Sequence, residues 1–384
     1  MSDRSIAATR FFALAASHFS ADFFSAVLPG ILPAALLYFH LDLGYGVILL
    51  SAIGIGANLL QIPASAIDRD KSSPRFLVFG LLLASAVLIL PFLPEKTRFW
   101  HLALLLFLAG SGIALVHPLG LRGVHALPFS VKVSVPLFMT CGFFGAAVAP
   151  WTASLLVTFC GMKGLLFLFV PVALIVLLLL GSRLKLQIPE ENRIRQENAE
   201  TTPWRFGALF FFALFLNCGT AVFTGLLPTM LHQFGYTLAF CGFCNTLFGV
   251  GSSVGSILLG IGARRFAPPK MILPGMVIGI LLGMLYLESA ELSVWAAFCI
   301  PLLGLLLSAP YPLLVALSVS APGRFSSTLR SGLIVGGTWG IAGVMLLPAG
   351  QIAERVSLSA ALATGLGCYV IAFGVAAMTC RKAK

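Results

Sequence analysis

Charge is scarce in this chain of 384 residues. Asp, Glu, Lys and Arg make up 10% of it, against about a quarter in an ordinary soluble domain. Too little polar surface is available to cover a water-soluble globule. Acidic residues are rarer still, 13 against 24 basic ones. Cysteines number eight, and they lie in or beside apolar runs with no paired spacing in loops, which excludes a disulfide framework and a zinc-finger-like site. Cys241-x-x-Cys244 encloses Gly242-Phe243 within an apolar stretch and reads as packing rather than redox chemistry. No Gly-rich phosphate loop with its Lys occurs, so ATP hydrolysis within the chain is not expected. A Gly251-Ser-Ser253-Val-Gly255 run matches the nucleophile-elbow pattern. That pattern needs a strand-to-helix turn, and this copy sits inside an apolar span, so it reads as a helix contact and no enzyme is expected.

What the chain does have is apolar length. Hydrophobic residues are 59% of it, arranged in runs separated by short polar punctuation. Twelve spans can be drawn, at about 10–39, 46–67, 75–94, 99–127, 131–158, 164–181, 205–234, 238–262, 270–288, 293–317, 330–351 and 357–379. The reading is an all-α polytopic membrane protein. Its net charge of +11 invites a nucleic-acid partner, but its distribution argues otherwise. With the N-terminus placed in the cytoplasm and the sides alternated, 20 of the 24 Lys and Arg fall inside. The basic excess is then an orientation signal, with both termini cytoplasmic and no nucleic acid required. Arg4 and Arg10 before an apolar run resemble a signal peptide, but Asp22 and the long continuation past Pro33 favour an uncleaved first span.

The chain also repeats itself. Shifting the second half back by 195 positions brings Leu227-Pro228 onto Leu32-Pro33, Phe234 onto Phe39, Asn217 onto Asp22 and Arg264 onto Arg69. In the fourth and tenth spans the offset is 194, pairing His117 with Tyr311; in the fifth and eleventh it returns to 195, pairing Gly142 with Gly337 and Gly145 with Gly340. The expected organisation is a six-helix bundle over 1–181, a polar cytoplasmic linker over 182–204 and a second six-helix bundle over 205–384. Parallel repeats of this kind build transporters whose substrate cavity lies between the halves. The titratable members, Asp22 and His117, occur in the first half alone.

Asp22 is the costly residue. Twelve residues beyond Arg10 it lies about 18 Å deep, near the middle of the hydrocarbon, where an aspartate costs roughly 2.5–3.5 kcal/mol. His18 is one turn away on the same face. A submerged carboxyl and imidazole can exchange a proton near neutral pH. Asp22 is therefore expected to carry a coupling proton and His18 to tune or relay it. His117 and Arg122, with Asn217 and Tyr311 from the second half, are the candidate substrate contacts. His18-x-x-x-Asp22 lacks the Glu of a helical zinc motif, leaving too few ligands for a metal, and no cofactor is expected.

Three motifs carry a family resemblance. Asp68-Arg69, after the second span, resembles the loop motif of the major facilitator superfamily, with Ala64 and Lys71 where that motif has Gly. Gly142-Phe-Phe-Gly145, running on to Ala149-Pro150, is similar to the Gly-rich motif of the drug/proton antiporters of that superfamily. Asp68, Arg69, Gly142, Gly145 and Pro150 are thus the candidate conformational-switch residues. His18-Phe-x-x-Asp22, Gln61-Ile-Pro63 and the Gly110-to-Gly120 stretch containing His117-Pro118 together resemble the fosmidomycin-resistance branch of these efflux proteins. The resemblance implies twelve helices in two pseudo-symmetric bundles and a proton-coupled exporter of small, anionic or amphiphilic compounds. It also implies a monomer in a bacterial cytoplasmic membrane, with the lipid bilayer, protons and a small molecule as its partners. An uptake symporter or uniporter on the same fold, and a transport-inactive scaffold or sensor, are the rival readings.

Overall fold

The computed structural model describes residues 3–64, 74–129, 131–184, 186, 204–263, 265–289, 297–322, 325 and 327–382. Among the described residues, twelve helices are long and apolar enough to cross a membrane. In chain order they are α1 (Ser5–Phe39), α2 (Leu43–Ala64), α3 (Arg75–Phe92), α4 (Phe99–His125), α5 (Val133–Cys160) and α6 (Met162–Gly181). The second set is α7 (Phe206–Gln233), α8 (Leu238–Gly262), α9 (Lys270–Ser289), α10 (Cys299–Ser318), α11 (Leu329–Arg355) and α12 (Leu358–Cys380). Two of the expected edges are corrected. The first helix starts well before residue 10, because nothing between Ser5 and Arg10 breaks it. The tenth span starts at Cys299 rather than 293, and residues 290–296 lie outside the described residues.

Proline and glycine set the irregularities. Pro63 cannot donate to the carbonyl four residues back, and α2 is interrupted at Leu60 before a last turn over Gln61–Ala64. The second half of α3, Ser85–Phe92, winds more tightly as a 3₁₀ helix around Pro91. Wide π turns occur at Gly304–Ser308 in α10 and Leu333–Gly337 in α11.

The repeat is visible in the backbone. After α1, His40 takes a left-handed φ of 51°, and the Leu41 N–H bonds the Leu36 carbonyl at 2.9 Å. After α7, Gly235 takes φ 90°, and the Tyr236 N–H bonds the Leu231 carbonyl at 3.2 Å. These are the same helix-ending Schellman turn, 195 residues apart. Within the first set, α1 packs on α4 and α5, and α2 and α3 pack on α4; within the second, α7 packs on α11 and α12. Two seams join the sets, α2 against α11 and α5 against α8, with a lighter contact of α1 on α7. Small residues allow the close crossings. Pro150 of α5 meets Gly30 of α1 and Gly242 of α8, so three helices converge on one point. The Arg10 guanidinium ties the start of α1 to the end of α6 through the carbonyls of Ser182 and Arg183, each at 3.1 Å.

Candidate functional site

Asp22 faces into the first helix set. Its Oδ1 accepts from His117 Nε2 of α4 at 2.7 Å, and its Oδ2 stands 3.4 Å from His18 Nε2, one turn earlier on α1. His18 is 2% exposed, while the side chains of Asp22 and His117 keep 16% and 19% of their surface, so the cluster is open on the His117 side. Helix α5 closes the other side. The Phe138 ring stacks on His18 with centroids 4.2 Å apart, and the Phe138 carbonyl accepts from His18 Nδ1 at 2.8 Å. Gly142 follows one turn later on α5. A methyl group there would collide with Asp22 Oδ2 and stand 2.7 Å from His18 Nε2, so only glycine lets α5 lie against the pair.

With the Gln61 amide in its present orientation, the partners lead to one arrangement of hydrogens. Gln61 Nε2 bonds the Ala57 carbonyl at 2.9 Å and His117 Nδ1 at 2.8 Å. A carbonyl can only accept, so one amide hydrogen goes to Ala57 and the second to His117 Nδ1, the nearer of its two remaining acceptors, Asn58 Oδ1 standing at 3.4 Å. Neutral His117 then carries its own hydrogen on Nε2 and donates it to Asp22. His18 donates from Nδ1 to Phe138, so the Nε2 of neutral His18 carries a lone pair. That nitrogen stands 3.4 Å from Asp22 Oδ2 without an aligned hydrogen bond, close enough for a proton gained by either group to draw the two together.

The other sequence candidates separate into groups. Asn217, the counterpart of Asp22, is fully buried and donates to Thr338 Oγ1 of α11 at 2.8 Å; its Oδ1 has no hydrogen-bond partner. Tyr311, the counterpart of His117, is 6% exposed; its hydroxyl lies beside the Asn217 and Trp339 side chains without an aligned hydrogen bond and within electrostatic reach of Asp22. The second half therefore holds an uncharged copy of the cluster, facing the first. Arg122 is half-buried near the end of α4 and is not among the groups acting on Asp22, which are His117 and His18. Gly145 abuts the Phe19 backbone, and Pro150 sits where α1, α5 and α8 meet. Asp68 and Arg69 lie outside the described residues.

The fold contact between α1 and α4 adds His117 to the His18–Asp22 pair, and side-chain nitrogen and oxygen atoms of the three lie within 4.8 Å of one another. With Gln61 donating to Nδ1, His117 Nε2 carries hydrogen and donates to Asp22 rather than offering a lone pair. The hydrolase pattern has no elbow: Ser253 lies within a continuous helix, and its hydroxyl bonds the Gly249 carbonyl at 3.0 Å. Cys241 and Cys244 are buried thiols. Gln61 is the residue whose part the sequence hid. Gln61-Ile-Pro63 carried part of the family resemblance, and the Gln61 amide, with Asn58, is a polar interruption in an apolar helix, but neither signal says what the amide bonds.

Comparison with known proteins agrees with this architecture. The Major Facilitator Superfamily profile matches residues 14–344. No curated protein matches the chain in sequence. Among solved structures, the chain is similar to the nucleoside transporter NupG, with a TM-score of 0.75 and 11% identity over 97% of this chain and 99% of that one. The peptide transporter POT gives 0.72 and 14%, covering 99% of each. The fucose:proton symporter FucP of E. coli gives 0.60 and 18%, over 96% and 98%.

Proposed function

This chain belongs to the Major Facilitator Superfamily, and on that premise we propose that it is a proton-coupled antiporter that exports a small organic compound by alternating access. The observation that carries the reading is the Asp22 carboxyl, deep in an apolar helix, held by His117 at 2.7 Å and with His18 Nε2 3.4 Å from its other oxygen. Asp22 is the coupling residue and His18 shares its proton. His117, with Asn217 and Tyr311 across the interface, contacts the substrate, and Arg122 serves the mouth of the path. Gly142, Gly145 and Pro150, together with Asp68 and Arg69, are the positions where the two states differ.

Export is supported by the motifs similar to the fosmidomycin-resistance branch, and proton antiport by the acceptor pair that a proton and a bound substrate would influence in opposite directions. The working unit is a monomer in a bacterial cytoplasmic membrane, with both termini cytoplasmic and the two six-helix bundles joined by the 182–204 linker. Uptake symport is the competing mode, because FucP, which is similar in fold, is a fucose:proton symporter. The sign of flux decides between them. In liposomes carrying the purified protein, antibiotics, phosphonates and organic acids are tested against an imposed pH gradient. Export by antiport predicts substrate moving opposite to the proton flow; substrate moving with protons would overturn it. Flux that ignores the gradient would favour a uniporter.

A further inference from the structure

We propose that Gln61 is a positioning residue that transmits the protonation of the α1 cluster to the seam between the two helix sets, through the hydrogen it gives to His117. The inference rests on the proton-coupled reading above and adds the part that reads the proton.

Gln61 belongs to two structures at once. On one side its amide, 8% exposed, spans the Ala57 carbonyl and His117 Nδ1, which makes it the far end of a chain from Gln61 through His117 to Asp22. On the other side it stands on the α2–α11 seam. A methyl group on Gly336 of α11 would stand 2.7 Å from the Asn58 carbonyl and 3.4 Å from Gln61 Cβ. The backbone is irregular on both faces of this contact. Helix α2 is interrupted at Leu60, immediately before Gln61, and α11 widens into its π turn at Leu333–Gly337. Breaks and π turns are where helices bend, and they concentrate at functional sites. Here two of them meet at the residue that holds His117.

On acidification a hydronium ion breaks one O–H bond and leaves as water, and its proton forms one bond to hydrogen between His18 Nε2 and Asp22 Oδ2, raising the charge of the cluster by one unit. The carboxylate becomes a weaker acceptor for His117 Nε2–H, since charge-assisted hydrogen bonds are about twice as strong as neutral ones. With His117 held less firmly, Nδ1 no longer anchors the second Gln61 hydrogen, and the last turn of α2 is freed to move against Gly336. The ionisable groups acting on Asp22 among the described residues are His117 from α4 and His18 from its own helix. Tyr311 of α10 feels Asp22 in turn, and α5 presents the uncharged Gly142.

The test needs no substrate. Nitroxide labels at Ile62→Cys and Leu329→Cys, in the full chain with native cysteines replaced and reconstituted in liposomes, report the α2–α11 separation between about pH 8 and about pH 5. Nitrogen-15 spectra of the labelled histidines report the His117 tautomer. The unmodified network should show His117 with hydrogen on Nε2 and a separation that changes with pH. Gln61→Leu should retain proton uptake at His18 and Asp22 but weaken about fivefold the pH-driven shift in the equilibrium between the two separations, as loss of one hydrogen bond implies. Gln61→Glu keeps length and polarity but can only accept as a carboxylate, so His117 should gain a hydrogen on Nδ1 while keeping the one on Nε2, one for each carboxylate. If Gln61→Leu changes separation with pH as the parent does, the inference is overturned while proton coupling stands. If His117 carries the same hydrogens in all three proteins, it is likewise overturned. If the parent separation ignores pH, the inference fails; if Asp22→Asn also leaves proton uptake unchanged, the proton-coupled reading fails with it.

Discussion

Asp22, His18, His117 and Gln61 account for the chemistry proposed here, and Gly142 permits the first two to lie under α5. Asp22 can sit deep in the membrane because His117 donates a hydrogen bond to its carboxylate, and α5 can cover Asp22 and His18 because residue 142 has no side chain. Gly142→Ala places a methyl group against Asp22 Oδ2 and the His18 ring and should separate them. We expect gradient-driven flux to fall at least about tenfold, because a charge-bearing hydrogen-bonded pair is disturbed. Gly332→Ala is the control, since nothing lies within 4 Å of the methyl group it adds, and it should leave flux within twofold, roughly the effect of a surface substitution. Of this group, His18 and Asp22 were legible from their four-residue spacing in an apolar run. The His117–Asp22 bond was not, because 95 residues separate them and only the packing of α4 on α1 brings them together. Gln61 was harder still: whether an amide donates or accepts depends on the atoms it faces, and no pattern in the chain records that.

At the scale of helices, most of the architecture could be read in advance because apolar length and polar punctuation act locally. What could not be read are the places where a helix changes its winding. The π turns at Gly304–Ser308 and Leu333–Gly337 depend on the neighbour each one passes; Gly304, for instance, lies against the Phe248 backbone of α8. The turn ending α1 gives a direct test of the repeat. His40 occupies a left-handed position that Gly235 fills in the second half, and left-handed backbone costs a non-glycine residue about 1–2 kcal/mol. His40→Gly should therefore raise stability by about 1 kcal/mol, less a few tenths for the exposed contact to Glu95 at 3.9 Å. Thermal unfolding in detergent measures it. An unchanged or lowered midpoint would show that the turn is held by something other than its backbone.

The whole molecule is two related helix sets touching along two seams, one of them carrying the buried acid and the other an uncharged copy of its site. The differences between the halves, Asp22 against Asn217 and His117 against Tyr311, stood in the sequence once the offset was found. Their convergence on facing surfaces needed the fold. Alternating access requires the seams to open in turn, and α2–α11 is in contact from Val47 and Gly350 at one end to Asn58 and Gly336 toward the other. Val47→Cys paired with Gly350→Cys, in a chain with native cysteines replaced, sets the two Cβ atoms 2.7 Å apart, so the seam must widen by about 1 Å for the bridge to form; once oxidised, the cross-link should stop flux, and reduction should restore it. Full flux in the cross-linked protein would rule out movement at that end. The central claim is that the Asp22 carboxyl gains and loses a proton within the membrane. Infrared difference spectroscopy of the reconstituted protein across a pH step observes that directly. The account predicts a protonated-carboxyl band that appears on acidification and is missing in Asp22→Asn; the same band persisting in Asp22→Asn would contradict it.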